Sequence, residues 1–191
     1  MINSGESGKP LHAFCKELNI ELPIIGGAMY PCSNPELVAA VSEAGGLGIV
    51  QPLSLTYVHG HDFREGLRYI RSLTSKPIGV NLLVEKSSTR YLDRIKSWLD
   101  ISLEEGVSFF VTALGNPAFV VDKVHAQAGL VYHNTTNANW AHKALDAGVD
   151  GLICVNNRAG GHAGTESAKR LYGNLIDFGK PLICAGGLSS P

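Results

Sequence analysis

One unit recurs along this sequence: a helical stretch, a glycine, and then a short run of apolar residues. It reads Ala44-Gly45-Gly46 before Leu47 to Val50 and Glu105-Gly106 before Val107 to Val111. It returns as Ala128-Gly129 before Leu130 to His133, Ala147-Gly148 before Val149 to Val155, and Phe178-Gly179-Lys180 before Pro181 to Ala185. Glycine suits the position after a helix cap, where the backbone is commonly left-handed. The runs that follow are continuously apolar, as parallel strands buried on both faces must be. With Leu22 to Gly26 and Pro77 to Leu83 added, the pattern predicts seven strands spaced by roughly 20–30 residues, the size of a βα unit.

Two architectures accommodate such units, a (β/α)8 TIM barrel and an open doubly wound sheet. Near-uniform unit length and the lack of an early G-x-G-x-x-G turn favour the barrel. A complete barrel takes ~250 residues, whereas this sequence has 191 and stops just after the seventh strand. The expected fold is therefore α/β, a (β/α)8 TIM barrel truncated after its seventh strand. Residues 1–10, rich in Gly, Ser and Lys, read as a flexible leader, and 11–191 as one incomplete barrel domain. Ser33-Asn34-Pro35-Glu36 and Asn116-Pro117 read as helix starts. Between Gln51 and Asp62 the pattern lapses, which predicts an irregular loop carrying His59 and His61. Open barrel edges would invite homo-oligomers.

Hydrophobic residues make up 45% of the chain, enough for one sizeable core, and the net charge is -1. Basic residues are scattered, so neither nucleic acid nor a membrane surface is an expected partner. No apolar run approaches the ~20 residues of a membrane helix, and no secretion signal is recognisable. Cys15, Cys32, Cys154 and Cys184 form no C-x-x-C pair, which suits a reduced, cytoplasmic chain. His59 and His61 lack a third ligand, and no metal is expected.

The chemistry-bearing candidates sit where strands end. Asn156-Asn157-Arg158-Ala159-Gly160-Gly161-His162-Ala163-Gly164 follows the sixth strand. Its glycines let backbone pass close to a flat ligand, and an imidazole can move a proton near neutral pH. Taken alone, a loop histidine such as His162 is more often simply solvated, and the flanking glycines at a strand end shift it toward function. Asn81 ends the third strand, where an amide can both donate and accept, or serve only as a strand-end cap. Gly186-Gly187 after the seventh strand can cradle a phosphate with bare N–H groups, or form a plain tight turn.

Several segments, in order, resemble the nitronate monooxygenase family and its relatives, the flavin-dependent enoyl-acyl carrier protein reductases. They are Pro23-Ile24-Ile25-Gly26-Gly27-Ala28-Met29, Ala44-Gly45-Gly46-Leu47-Gly48, Lys76-Pro77-Ile78-Gly79-Val80-Asn81, Ala159-Gly160-Gly161-His162-Ala163-Gly164 and Ala185-Gly186-Gly187-Leu188. The resemblance covers about residues 20 to 191 and implies an FMN-binding TIM barrel. It implies His162 as the catalytic residue at the reactive edge of the flavin, as a base toward a nitroalkane or a partner for the nitronate's charge. It places Ala28 and Met29 along the ring, and Asn81, Asn134, Gly160 and Gly161 around it. Asn134 stands where some relatives carry a flavin-contacting lysine. The segment Ala185, Gly186, Gly187 and Leu188 becomes a phosphate half-site.

The implied reaction is oxidation of an alkyl nitronate by O2 to a carbonyl compound and nitrite. Ala163 follows the histidine where monooxygenases often carry arginine, so an NAD(P)H-dependent reductase, acting on an enoyl thioester or quinone, stays open. So does an inactive remnant without flavin.

Overall fold

The computed structural model describes residues 9–85 and 88–187. Residues 1–8 of the expected leader lie outside these, and Lys9 and Pro10 open the first helix. In chain order the elements are α1 (Lys9–Leu18), β1 (Ile25–Gly26), α2 (Pro35–Glu43), β2 (Leu47–Val50), α3 (Phe63–Leu73), β3 (Ile78–Leu83) and α4 (Thr89–Glu104). There follow β4 (Phe109–Ala113), α5 (Ala118–His125), β5 (Leu130–Thr135), α6 (Ala138–Asp146), β6 (Gly151–Val155), α7 (Ala168–Leu175) and β7 (Leu182–Ala185).

The seven strands form one sheet in the order β1-β2-β3-β4-β5-β6-β7. The pairings β1–β2, β2–β3, β4–β5, β5–β6 and β6–β7 are parallel. A doubly wound sheet reverses direction partway across, so its strands cannot run in chain order. The unbroken order is that of a (β/α)8 barrel. The fold is thus α/β of the TIM-barrel type, described through its seventh strand. Among the described residues, no helix is long and apolar enough to cross a membrane.

Contacts divide the chain into two compact units, Met1–Val80 with Glu104–Val107, and Asn81–Leu103 with Ser108–Pro191. In the first unit, α2 starts where the sequence places it. Asn34 caps it by accepting from the Leu37 N–H at 2.7 Å, with Pro35 in the first turn. Val38, Ala39 and Ser42 form its buried face. The helix lies so close to β2 that a Cβ on Gly48 would fall 2.1 Å from the Val38 carbonyl oxygen. Ser42 joins two strands from above: its hydroxyl accepts the Gly48 N–H at 3.1 Å and donates to the Pro77 carbonyl at 2.7 Å.

The stretch expected to be irregular is only partly so. Ser54–Val58 forms one π-helical turn, closed by the His59 N–H on the Ser54 carbonyl at 2.9 Å. The Gln51 side chain starts it by accepting from the Leu53 N–H. Side-chain capping of this kind supplies the order that hydrophobic periodicity does not reveal. Asp62 then caps α3, whose Phe63, Leu67 and Ile70 are buried. Arg64 and Arg68 hold Glu104 and Glu105 in an ion cluster whose Arg64 and Glu105 are half-buried.

In the second unit, successive side chains alternate across the sheet. Phe110 and Val131 are register partners, and Val120, Val121 and Val124 are the buried residues of α5. On the other face Tyr132 packs against Phe109, ring centroids 5.2 Å apart. Tyr132 also lies over its register partner Gly151, where a Cβ would come within 2.2 Å of the phenol ring. Asp150 accepts the Val131 N–H at 2.7 Å and faces His125 Nε2 at 3.0 Å.

Candidate functional site

Asn156 organises the loop after β6. It is 1% exposed, and its N–H extends the ladder to the Ala185 carbonyl at 3.1 Å. Its side chain forms an Asx turn, Oδ1 accepting the Arg158 N–H at 2.7 Å. Its Nδ2 donates to the Gly186 carbonyl at 2.8 Å, so one residue ties the loop after β6 to the loop after β7. The far end of the loop closes where Asn157 N–H meets the Glu166 carbonyl at 2.9 Å. Asn174 in turn holds the Glu166 carboxylate at 2.8 Å.

Between these anchors the chain turns through Gly160-Gly161-His162. Gly161 has φ +70, and the Ala163 N–H reaches its carbonyl at 2.9 Å, which makes a tight turn. A Cβ on Gly160 or Gly161 would meet nothing within 4 Å, so both present open backbone. His162 is exposed. Among the described residues neither its imidazole nor the N–H groups of Gly160 and Gly161 has a hydrogen-bond partner.

The loop after β7 is built differently. Gly186 has φ +110, and a Cβ there would fall 2.4 Å from the Ala159 nitrogen. Gly187 has φ +61, and a Cβ there would fall 2.7 Å from Arg158 Cβ. The glycine pair is therefore required first by the backbone of the neighbouring loop pressing on it. This packing was not visible in the sequence. Ala185 contributes its carbonyl to Asn156, and Leu188 lies outside the described residues.

Asn81 does not end β3 as expected but lies inside it, with Leu82 and Leu83 still in the strand beyond it, while Asn134 is the next-to-last residue of β5 in the same unit. Asn81 is buried and Asn134 half-buried, and among the described residues neither side-chain amide has a protein partner. Asn134 is in register with Ile153 and shares the sheet face of Tyr132. His133 points to the opposite face. Its Nδ1 lies 2.9 Å from Thr112 Oγ1, which also reaches the Tyr132 carbonyl at 3.3 Å. Burial pushes the His133 imidazole down from its ordinary 6.5 to about 4, so it is neutral at physiological pH. Thr112 and His133 are thus a closed internal pair.

In the first unit, the segment after β1 is largely satisfied by its own turn. The Met29 N–H donates to Ser33 Oγ at 2.8 Å, and its carbonyl accepts from the Ser33 N–H at 2.8 Å. Met29 offers an exposed side chain, and Ala28 is half-buried. His59 Nε2 lies 3.2 Å from the Pro31 carbonyl, and His61 stacks on Tyr69.

The sequence reading included Asn156 and Arg158 in its candidate segment without giving either a role, and it did not foresee that Thr112 pairs with His133. The signal for Asn156 was present as an Asn-Asn step directly after an apolar strand, a pattern that favours Asx turns.

The family model described as nitronate monooxygenase matches residues 12–190. The chain belongs to the nitronate monooxygenase family. A probable nitronate monooxygenase of Staphylococcus saprophyticus subsp. saprophyticus is 26% identical over 213 residues, covering 90% of this chain and 59% of that protein. A (3aS,4S,5R,7aS)-5-hydroxy-7a-methyl-1-oxo-octahydro-1H-indene-4-carboxyl-CoA dehydrogenase of Rhodococcus jostii is 27% identical over 176 residues, covering 92% of this chain and 47% of that protein. Among solved structures, FabK from Thermotoga maritima superposes with a TM-score of 0.77 at 28% identity, covering 93% of this chain and 55% of that one. A nitroalkane oxidase from Streptomyces ansochromogenes shares the fold, with a TM-score of 0.79 at 22% identity over 92% of this chain and 61% of that one. The chain spans about half the length of the first curated relatives it matches. Family membership makes it a member of an oxidoreductase family.

Proposed function

We propose that the protein binds FMN and oxidises alkyl nitronates with O2 to a carbonyl compound and nitrite. The observation that carries this reading is the turn after β6, an exposed histidine with no partner among the described residues, beside two glycines with open backbone. It stands at the strand end where parallel barrels place their chemistry.

The residues of the second unit fit a flavin. Gly160 and Gly161 leave a bare surface with free N–H groups, suited to a flat ring. Asn81 and Asn134 bring amides that donate and accept, matching a ring edge of mixed polarity. The backbone at Ala185, Gly186 and Gly187 suits the phosphate, with Leu188 following. For Ala28 and Met29 the family resemblance alone speaks. Bound FMN supplies the redox chemistry between nitronate and O2.

The chain's own part is proton handling and charge. As a base, the His162 imidazole takes the proton from the carbon beside a nitro group. Protonated, it faces the nitronate's negative charge. Asn134 can offer the ring hydrogen bonds but no charge.

The test uses purified protein reconstituted with FMN. Flavin absorbance should remain after gel filtration, and a nitronate should cause O2 uptake with nitrite release. Replacing His162 by Ala should lower turnover by about 10²–10⁴-fold while FMN stays bound. Colourless protein, or full activity in the variant, refutes the reading. The likeness to FabK favours a second reading, an NAD(P)H-dependent flavin reductase. NADH oxidation with an enoyl thioester or quinone, and no nitrite from nitronates, would select it.

A further inference from the structure

We propose that Arg158, held in place by Asn156, is a cationic arm on the phosphate side of the flavin site and makes the chain prefer a phosphorylated flavin. The inference rests on the FMN reading above.

Three observations place the arm. The Arg158 N–H is fixed by Asn156 Oδ1 at 2.7 Å, and Asn156 Nδ2 is fixed to the Gly186 carbonyl at 2.8 Å. The Arg158 stem then runs along the bare side of Gly187, where a Cβ would fall 2.7 Å from both Cβ and Cδ and 3.3 Å from Cγ. Finally, the guanidinium is exposed and has no hydrogen-bond or ion-pair partner among the described residues. Several other arginines are engaged within the protein: Arg64 and Arg68 with glutamates, Arg71 with the Lys76 carbonyl, Arg170 with Glu166, and Arg94 over the Trp98 ring.

An exposed arginine by itself is only a solvated cation. Here the backbone at its root and the glycine under its stem are both held, so its direction is set by two fixed points. Its stem lies beside Gly187, the residue after Gly186, and among the described residues neither glycine N–H has a hydrogen-bond partner. Backbone N–H groups in a left-handed turn together with a planar guanidinium fork form a standard anion-binding arrangement. A doubly charged phosphate monoester meets it far better than a hydroxyl. Asn156 touches no ligand in this scheme and acts through Arg158 and Gly186, as a positioning residue.

FMN and riboflavin share one ring and differ in that phosphate, so their affinity ratio isolates it. The experiment titrates each flavin, by fluorescence, into the wild type, Arg158→Gln and Asn156→Ala at low and high salt. The wild type should prefer FMN, and the preference should shrink with salt. Arg158→Gln should weaken FMN binding about tenfold and leave riboflavin binding unchanged. Arg158→Lys should restore part of the loss, returning the charge without the fork. Asn156→Ala should lose the same preference and speed amide exchange at Arg158 and Gly187, with β4, β5 and β6 still protected.

An unchanged FMN-to-riboflavin ratio in Arg158→Gln overturns the role of the arm, as does equal binding of both flavins by the wild type. An unchanged ratio in Asn156→Ala overturns the positioning role. Binding of neither flavin overturns the FMN reading and this inference together.

Discussion

His133 should make the folded protein acid-sensitive in a defined pH window. The residue is 5% exposed, its imidazole meets only Thr112 through Nδ1 among the described residues, and burial lowers it from 6.5 to about 4. Between those two values the unfolded chain binds a proton that the folded chain refuses. Stability from this group is therefore fully present above pH 6.5, falls as pH drops toward 4, and levels off below. The gap of roughly 2.5 pH units, at 1.36 kcal/mol each, amounts to about 3 kcal/mol. Against a typical domain stability of about 5–15 kcal/mol, that is a large share. Urea unfolding followed by tryptophan fluorescence at pH 7.5, 6, 5 and 4.5 would measure it, comparing the wild type with His133→Gln. The variant loses some packing at every pH, but its stability should fall less steeply with acid. The difference between the two proteins should shrink by about 2.5 kcal/mol between pH 7.5 and 4.5. Parallel pH dependences would refute the reasoning, because the burial penalty would then reside elsewhere.

Ser42→Ala strips the Gly48 N–H and the Pro77 carbonyl of a shared partner, and should cost about 1–3 kcal/mol in chemical denaturation. A loss below the error of the measurement would show that water replaces the hydroxyl. Gly151→Ala drives a methyl into the Tyr132 ring and should cost about 1–3 kcal/mol. Shortening Tyr132 in the same chain should make the two costs less than additive, whereas strict additivity would contradict the contact. Burial pushes the Cys154 thiol up to about 12. Iodoacetamide at pH 8 should therefore label exposed Cys32 and spare Cys154 until urea unfolds the chain, as peptide mass spectrometry would read. Equal labelling of both in the native protein would refute it.

The sheet was legible because buried parallel strands advertise themselves as unbroken apolar runs. Leu47–Val50 lies where the pattern puts it, and Leu182–Ala185 loses only Pro181, which has no N–H for the ladder. The first run shrinks most: of Leu22 to Gly26 only Ile25–Gly26 pairs, since the Leu22 N–H turns back to the Gly45 carbonyl. The predicted Val107–Val111 strand shifts to Phe109–Ala113, because hydrophobicity marks burial and not which N–H is paired. Asn34 was readable as a cap, since Asn-Pro-Glu carries a local mechanism.

The site was readable only as far as its chemistry is local. The glycines flanking His162 declare an open turn by themselves. The reason for Gly186 and Gly187 is not local, for it resides in Ala159 and Arg158, 27 and 29 positions earlier respectively. Asn156 spends its amide on that same distant loop, and Thr112 and His133 meet only because β4 and β5 are in register. One chain without its relatives' variation cannot show such pairings.

The sheet's plain numerical order has a consequence for how the molecule comes into being. Each strand hydrogen-bonds to the strands made just before and just after it, with partners such as Phe109 and Leu130 only about 20 residues apart. No strand has to wait for a distant segment to leave the ribosome. Structure can grow by accretion, each new βα unit docking on an edge already in place, as in a repeat array governed by nearest-neighbour interfaces. Growth of that kind needs no finished ring before the strands already made can pair.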